Sequence, residues 1–318
     1  MTRAAANLEK VLGGESAITA STVQMAIQMC LEVMGTTTHL IPCILSVTSP
    51  PDTLAAVMRA GGQPILLDIH GGTLQMDAEL LKEALDELKA AVVILQRPGG
   101  LPIGPEILEL VQDVPTIIDT RLPPSDYPHP DHDLCGTFNV FDLSSWVGSG
   151  AVIRHKYAAQ QKLLRMVRSG VLGLGGSLPD VLAGEAIKRL IVDADCETAA
   201  DDYYMGYKHA VEQLHTHLTP YASRGIIPWV ASPTGPAPLM VFVPNNAARV
   251  VTQLRSDGIE ASQILPLHLL DEVKNRWEKE PRYPVAEKIM KQVIAIPTEA
   301  LRWHSMSWLA KAIGEVSS

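Results

Sequence analysis

The sequence predicts an α/β protein with two parts: a large domain built on a mostly parallel sheet, and a smaller C-terminal α+β domain. Three observations carry that prediction. Between residues 39 and 155, short apolar runs of strand length alternate with helix-like stretches, the pattern of a parallel sheet covered on both faces. The chain has 318 residues, room for about two domains at ~150 residues each. Past residue 220 the pattern changes to a few extended pieces and separate helices, so the domains are drawn as 1–220 and 221–318.

Composition narrows the function. Hydrophobic residues make up 47% and charged residues 19%, while aromatics are only 5%. The core is therefore aliphatic and large enough to fold. A net charge of −9 argues against a nucleic-acid partner, whose phosphates call for basic surface. No apolar stretch approaches the ~18 residues of a membrane span, and the first residues, MTRAAANLEKVLGGES, hold no apolar signal core. The expectation is a cytoplasmic protein with no membrane partner. Cys30, Cys43, Cys135 and Cys196 show no paired spacing and read as reduced thiols.

The elements follow in order. Residues 21–34 (STVQMAIQMCLEVM) read as a helix with Ser21 or Thr22 as N-cap. Residues 39–47 form a buried strand, and 53–62 a helix closed by a glycine pair. PILLDI (64–69) is a strand, 77–89 an amphipathic helix and AVVILQ (91–96) a strand. PEILELVQ reads as helix and TIIDT (116–120) as strand. Asp68 and Asp119 lie near strand ends, where ligands of such sheets sit. After a loop at 121–135 come strands at 138–143 and 150–155, a basic helix at 156–168 and a long helical region near 180–217. PLMVFVP (238–244), AARVVTQLRSDG (247–258), an extended stretch at 259–265 and a helix near 300–315 make the smaller domain.

Four local constellations read as ordinary structure. His129, Asp131, His132, Asp133 and Cys135 have metal-ligand types but sit in a proline-rich loop without a second fixed ligand set, so no metal is expected. GVLGLGG (170–176) follows a helix, whereas a dinucleotide fingerprint follows a strand. His215 and His217 point to different faces of their helix. Arg154, Lys156, Lys162, Arg165 and Arg168 read as a solvated basic face. There is no nucleophile elbow, Walker A loop or zincin motif.

ILPLHLL (264–270) and RYPVAEKIMKQVIAIPTEAL (282–301) resemble the closing segment of the DegT/StrS family of pyridoxal-phosphate-dependent sugar aminotransferases. MRAGGQPILLDIHGGTLQMDAELLKEAL (58–85) is similar to that family's second strand region, and TIIDT to the strand that ends in its cofactor aspartate. The resemblance implies a fold-type-I aminotransferase architecture, a homodimer with composite sites and nucleotide-sugar ligands. It also implies that the chain starts within the helix preceding the phosphate loop. Asp119 matches the aspartate that pairs with the pyridinium nitrogen and makes the cofactor an electron sink. Thr22 matches the phosphate-binding threonine at a helix N-terminus.

Other family positions are altered. The glutamine or histidine three residues after the aspartate is Leu122, and the stacking aromatic falls near Pro50. An asparagine and an arginine fall near Gly175 and Ser177. The lysine that forms the Schiff base belongs in FDLSSWVGSGAV (141–152), where the loop is shorter and the aligned position is Val147. No lysine stands between Lys89 and Lys156, and neither Lys156 nor His155 is placed to replace it. The family's phosphate-holding serine is Asp142. A carboxylate ~4 Å from phosphate costs roughly 4 kcal/mol per unit of phosphate charge at an effective dielectric near 20.

The resemblance with these changes implies a degenerate member with a binding or structural role, unable to form an internal aldimine and carrying no cofactor. The alternative is an active enzyme that holds pyridoxal or pyridoxamine phosphate without a covalent bond, or that uses a lysine reaching in from elsewhere or from a partner chain. A further alternative is acid–base chemistry in the same cleft, from Asp119 and Asp142 with Ser144 and Ser145. Trp146 in the short loop is expected to fold over the strand ends beside Pro50 and Leu122.

Overall fold

The alternation of apolar runs and helices is realised as a seven-stranded sheet with helices on both faces. The computed structural model describes residues 3–13, 16–36, 40–88, 91–121, 137–143, 149–155, 158–169, 177–179, 181–187, 197–228, 238–270, 282–297, 300–301 and 304–316. The chain divides into two compact units: Met1–Arg97 with Pro102–Asp195, and Cys196–Ser318 with the short segment Pro98–Leu101.

In the first unit the strands are β1 (Ala17–Ala20), β2 (Pro42–Ser46), β3 (Gln63–Leu67), β4 (Val92–Gln96), β5 (Thr116–Asp119), β6 (Thr137–Asp142) and β7 (Ala151–His155). Their order is β1-β7-β6-β5-β4-β2-β3. β2 through β6 pair in parallel, and only β7 runs antiparallel, against both β6 and β1. The helices are α1 (Arg3–Gly13), α2 (Val23–Val33), α3 (Pro51–Arg59), α4 (Ala78–Glu87), α5 (Pro105–Leu110), α6 (Ala158–Arg168) and α7 (residues 181–187).

Side chains alternate across the sheet, so the register assigns each strand residue to one of its two faces. Ile44, Val93, Leu95 and Ile118 pack with Leu81 of α4 and Ile107 of α5. Phe141 and Val152, on the same face further along, pack with Ala5, Leu8 and Leu12 of α1 and Ala183 and Ala186 of α7. The opposite face carries α2, which packs on β1, β5, β6 and β7 and against α3 and α6.

Local signals explain the boundaries. Thr22 caps α2, its side chain accepting from the Met25 N–H at 3.1 Å. Asp77 caps α4 through the Glu79 and Leu80 N–H groups. After α3, Gly61 at φ 77° takes the left-handed turn that a side chain would resist.

The second unit has α8 (Glu197–Leu218), β8 (Ile227–Pro228), β9 (Leu239–Phe242), α9 (Ala247–Ser256), β10 (Ser262–Gln263), α10 (Pro284–Ile289), β11 (Val293–Ile296) and α11 (Met306–Val316). Its sheet is antiparallel in the order β10-β11-β9-β8. Leu214, Leu218, Val241, Leu254, Ile294 and Leu309 are among its buried core residues. The domain boundary expected near residue 220 falls at the end of α8, a helix that lies within this second unit.

The basic face expected at 154–168 requires a correction. Lys162 and Arg165 are exposed, but Arg168 is 5% exposed and paired with Glu9 of α1, itself 2% exposed. Arg154 donates Nε to the Leu12 carbonyl at 3.0 Å and stacks over Phe141. Charge in a sequence marks a cation but not where its partner lies.

Candidate functional site

Carboxyl ends of β4, β5 and β6 and the end of β1 share one edge of the first unit's sheet. Asp119 is the last residue of β5, paired with Gln96 on β4 and Val140 on β6. Cross-strand partners share a face, so Asp119 projects to the side covered by α2 and α3. It is 0% exposed. Its Oδ2 accepts from the Thr53 hydroxyl at 3.0 Å and from Arg121 Nε at 2.9 Å. Its Oδ1 is buried and has no hydrogen-bond partner among the described residues.

Arg121 completes the cluster. Thr120 is clipped to the Val140 carbonyl by its N–H at 3.0 Å and its hydroxyl at 2.9 Å. The chain then turns at Arg121, with φ 52°, a conformation that costs about 1 kcal/mol or more for a residue with a side chain. The turn aims the guanidinium at the start of α3. Nη1 and Nη2 bond the two oxygens of Asp52 at 2.9 and 2.7 Å, and Nη2 also bonds Thr53 Oγ1 at 3.0 Å. Pro51 sits in the first turn, where its missing N–H costs nothing, and Asp52 complements the helix dipole there.

Burial pushes the Asp119 carboxyl up from its ordinary value, while the Arg121 charge and the Arg121 and Thr53 hydrogen bonds pull it back. Burial alone would lower the Arg121 guanidinium, yet Asp119 and Asp52 hold it above its usual value.

Thr22 stands at the same edge. Asp142, Ala151 and Ala20 align across β6, β7 and β1, and Ser21 and Thr22 lead from that row into α2. Ser149 donates to the Ser21 carbonyl at 2.8 Å. Thr22 is exposed at the helix N-terminus, and three strand spacings of ~4.8 Å separate β1 from β5. Asp142 lies on the same face as Asp119, two residues beyond its partner Val140. A neighbouring strand ~4.8 Å away and two residues of ~3.3 Å rise put their Cα atoms ~8 Å apart.

Asp68 is buried and accepts from the Ile69 N–H at 2.9 Å, beside an Asp77 N–H bond to the Asp68 carbonyl. Its side chain shapes the turn after β3. Pro50 is the N-cap residue of α3, and Ser177 is exposed. His215 and His217 are both exposed on α8, and burial lowers the His215 imidazole. Cys30 and Cys43 are buried free thiols, Cys43 pushed up to about 12 by burial. Leu122, the 129–135 cluster, Ser144, Ser145, Trp146, Val147, Lys156, GVLGLGG with Gly175, Cys135 and Cys196 lie outside the described residues. Among the described residues no three metal-ligating side chains gather, and no helix is long and apolar enough to cross a membrane.

Asp119 and Thr22, singled out in the sequence, both stand at this edge, whereas Asp52, Thr53 and Arg121 were not singled out. No local signal marks them, because the Arg121–Asp52 pair spans 69 positions.

A pyridoxal phosphate ring asks for a carboxylate at its nitrogen, donors at its phosphate and an amine at its aldehyde. The bare Oδ1 of Asp119 suits the first, and the N-terminus of α2 with Thr22 the second. No lysine lies between Lys89 and Lys156, a span that includes β6, β7 and their connection. That span therefore offers the aldehyde no primary amine.

Residues 2–103 match the model of the DegT/DnrJ/EryC1/StrS aminotransferase family. No curated protein matches by sequence. Among solved structures, Spr1654 of Streptococcus pneumoniae, named as a sugar aminotransferase and solved in PMP and PLP forms, superposes with a TM-score of 0.81. The identity is 16%, over 100% of this chain and 91% of that one for the PMP form. Helicobacter pylori PseC, an aminotransferase of pseudoaminic acid biosynthesis, gives 0.81 at 12% identity over 99% and 91%. DesI in the presence of its TDP-sugar product gives 0.80 at 13% identity over 100% and 85%. The chain has the aminotransferase fold, with a family signature in residues 2–103.

Proposed function

We propose that this chain is a DegT/StrS-family protein that does not transaminate through an internal aldimine and acts by binding or as a structural partner. The observation that carries the reading is the lysine-free span between Lys89 and Lys156. A primary amine is what attacks the cofactor aldehyde, and no other residue type in that span supplies one. Asp119 and Thr22 are the surviving family positions for ring nitrogen and phosphate. Purified protein mixed with pyridoxal phosphate is expected to show no aldimine absorbance and no borohydride-reducible adduct. A reducible band on this chain would overturn the reading.

A second reading is favoured by the bare Oδ1 of Asp119: pyridoxamine or pyridoxal phosphate held without a covalent bond, beside a nucleotide-sugar ligand of the kind seen with DesI. Calorimetry with pyridoxamine phosphate decides it; heat of binding supports it and a flat titration removes it. The proposed setting is the cytoplasm. The proposed assembly is a homodimer, an isologous pair being the commonest oligomer. Sedimentation at micromolar concentration is expected to give twice 34.4 kDa.

A further inference from the structure

We infer that Arg121 is the resident cation of the strand-end site, giving Asp119 from within the chain the ion-pair partner that a bound ring nitrogen would otherwise supply. The inference rests on the reading above that no covalent cofactor occupies this edge. Its basis is geometric. The guanidinium uses Nε on Asp119 and both terminal nitrogens on Asp52, the planar fork that favours arginine for such contacts. Thr53 ties the two ends together, donating to Asp119 and accepting from Arg121. The left-handed backbone at Arg121 is held in place for that contact.

Asp119 is 0% exposed, whereas the side chain of Asp52 is 38% and that of Arg121 29% exposed. Water screens the outer pair, so most of Arg121's effect falls on the buried carboxylate. Among the described residues, Asp142 on β6 and the buried Asp68 after β3 are further acidic groups at these strand ends, and Arg97 after β4 is a buried cation beside them. A carboxylate buried without a cation would neutralise itself by taking up a proton. Arg121 and Thr53 pull the Asp119 carboxyl down against the burial that raises it, so a ring cation arriving at Oδ1 meets a carboxylate that already shares its charge with Arg121.

Protein labelled with carbon-13 at aspartate Cγ tests this, with Asp119→Asn assigning the resonance. Replacing Arg121 by Met is expected to move the Asp119 titration upward by at least one pH unit, tenfold in proton affinity. Arg121→Lys keeps the charge but cannot fork between two carboxylates, and is expected to fall between the two. A titration unmoved in both variants overturns the inference, since a mere structural tie would change stability and leave the titration where it was. If the Met variant does not fold, the Lys variant decides alone: an upward shift supports and no shift overturns. A borohydride-reducible adduct on the wild-type chain would overturn the functional reading and leave this titration to decide on Arg121.

Discussion

Two arginine–carboxylate clusters in the first unit invite comparison. In one, Arg168 of α6 meets Glu9 of α1, and Glu9 Oε1 also accepts from the Thr19 N–H and hydroxyl, each at 2.9 Å. In the other, Arg121 and Thr53 meet Asp119 Oδ2. The chemistry is the same, and each carboxylate loads its bonds on one oxygen. Glu9 Oε2 is as bare as Asp119 Oδ1. A bare buried oxygen is therefore not in itself a receptor for a ligand.

Position and closure separate the two. The Arg168 side chain is 5% exposed and that of Glu9 3%, in a cluster that joins α1, β1 and α6. Arg121 is 29% exposed and reaches outward to Asp52 at the strand ends. The first cluster is a sealed brace. The second has a solvent-facing side, which is where a ligand or a second cation could compete.

The largest expected effect belongs to the sealed brace. Arg168→Met leaves the Glu9 carboxyl buried and without its cation. Loss of one partner of a buried pair costs about 3–5 kcal/mol, and a urea-unfolding midpoint is the measurement. Adding Glu9→Met to that variant is expected to recover much of the loss, because two apolar residues of similar volume replace a desolvated pair. A double variant as unstable as the single one would show that the brace acts through more than its charges.

Arg121→Met is expected to cost less, about 2–3 kcal/mol, because solvent reaches this arginine and can enter in its place. The loss should depend on pH. Below the ordinary aspartate range, near 3.9, Asp119 is neutral in folded and unfolded chains, and removing its cation changes little. As pH rises past that range the unfolded carboxyl ionises freely, while the variant's folded carboxyl resists. The stability gap between wild type and variant therefore widens with pH. Unfolding curves at pH 3.5, 5 and 7 measure it; a gap that stays constant would mean that Arg121 acts through packing and not through the charge of Asp119.

These clusters also show what the sequence carries. Thr22 as a cap was legible because a hydroxyl, then an apolar helical stripe, is a local pattern, and α2 begins where that pattern places it. Asp119 was legible as the end of a short apolar strand. The four-residue β1, AITA, was too short to register, and its place at the sheet edge depends on pairing with β7 far along the chain. The antiparallel course of β7 has no residue signature, since its buried Ala151, Val152 and Ile153 would suit either direction. Arg168 read as solvated because a run of basic residues in an acidic chain is by default a solvated face. The carboxylate that buries it lies 159 positions away. Both arginine clusters are long-range pairings, invisible to any window of neighbouring residues.

Thr22→Ala asks whether the other end of the site is brace or receptor. Its hydroxyl caps α2, so loss of the cap is expected to cost about 1 kcal/mol, with Ser or Asn restoring most of it. Thermal unfolding measures the cost. If Asn restores stability but phosphate-bearing ligands lose affinity for that variant in calorimetry, Thr22 does more than cap.

The smallest effect tests the outer arm of the Arg121 cluster. Asp52→Asn removes a carboxylate whose side chain is 38% exposed, so water already screens its pair with Arg121. Exposed pairs contribute about 0.2–1 kcal/mol, and the loss from the first turn of α3 is of similar size. The expected cost is therefore about 0.5 kcal/mol, near the limit of a denaturation experiment, because the asparagine oxygen can still accept one bond from Nη1 or Nη2. Arg121 keeps Asp119 and Thr53 as partners, so the buried half of the cluster should persist. The informative readout is then the charge left for Asp119. With one carboxylate fewer competing for the guanidinium, Asp119 should titrate lower in Asp52→Asn than in wild type, opposite in direction to Arg121→Met. Two substitutions at the ends of one ion-pair chain moving a buried carboxyl in opposite directions would mark an electrostatic cluster. Movement in the same direction would mean that both act by loosening the turn, and the contrast with the sealed Arg168 brace would collapse.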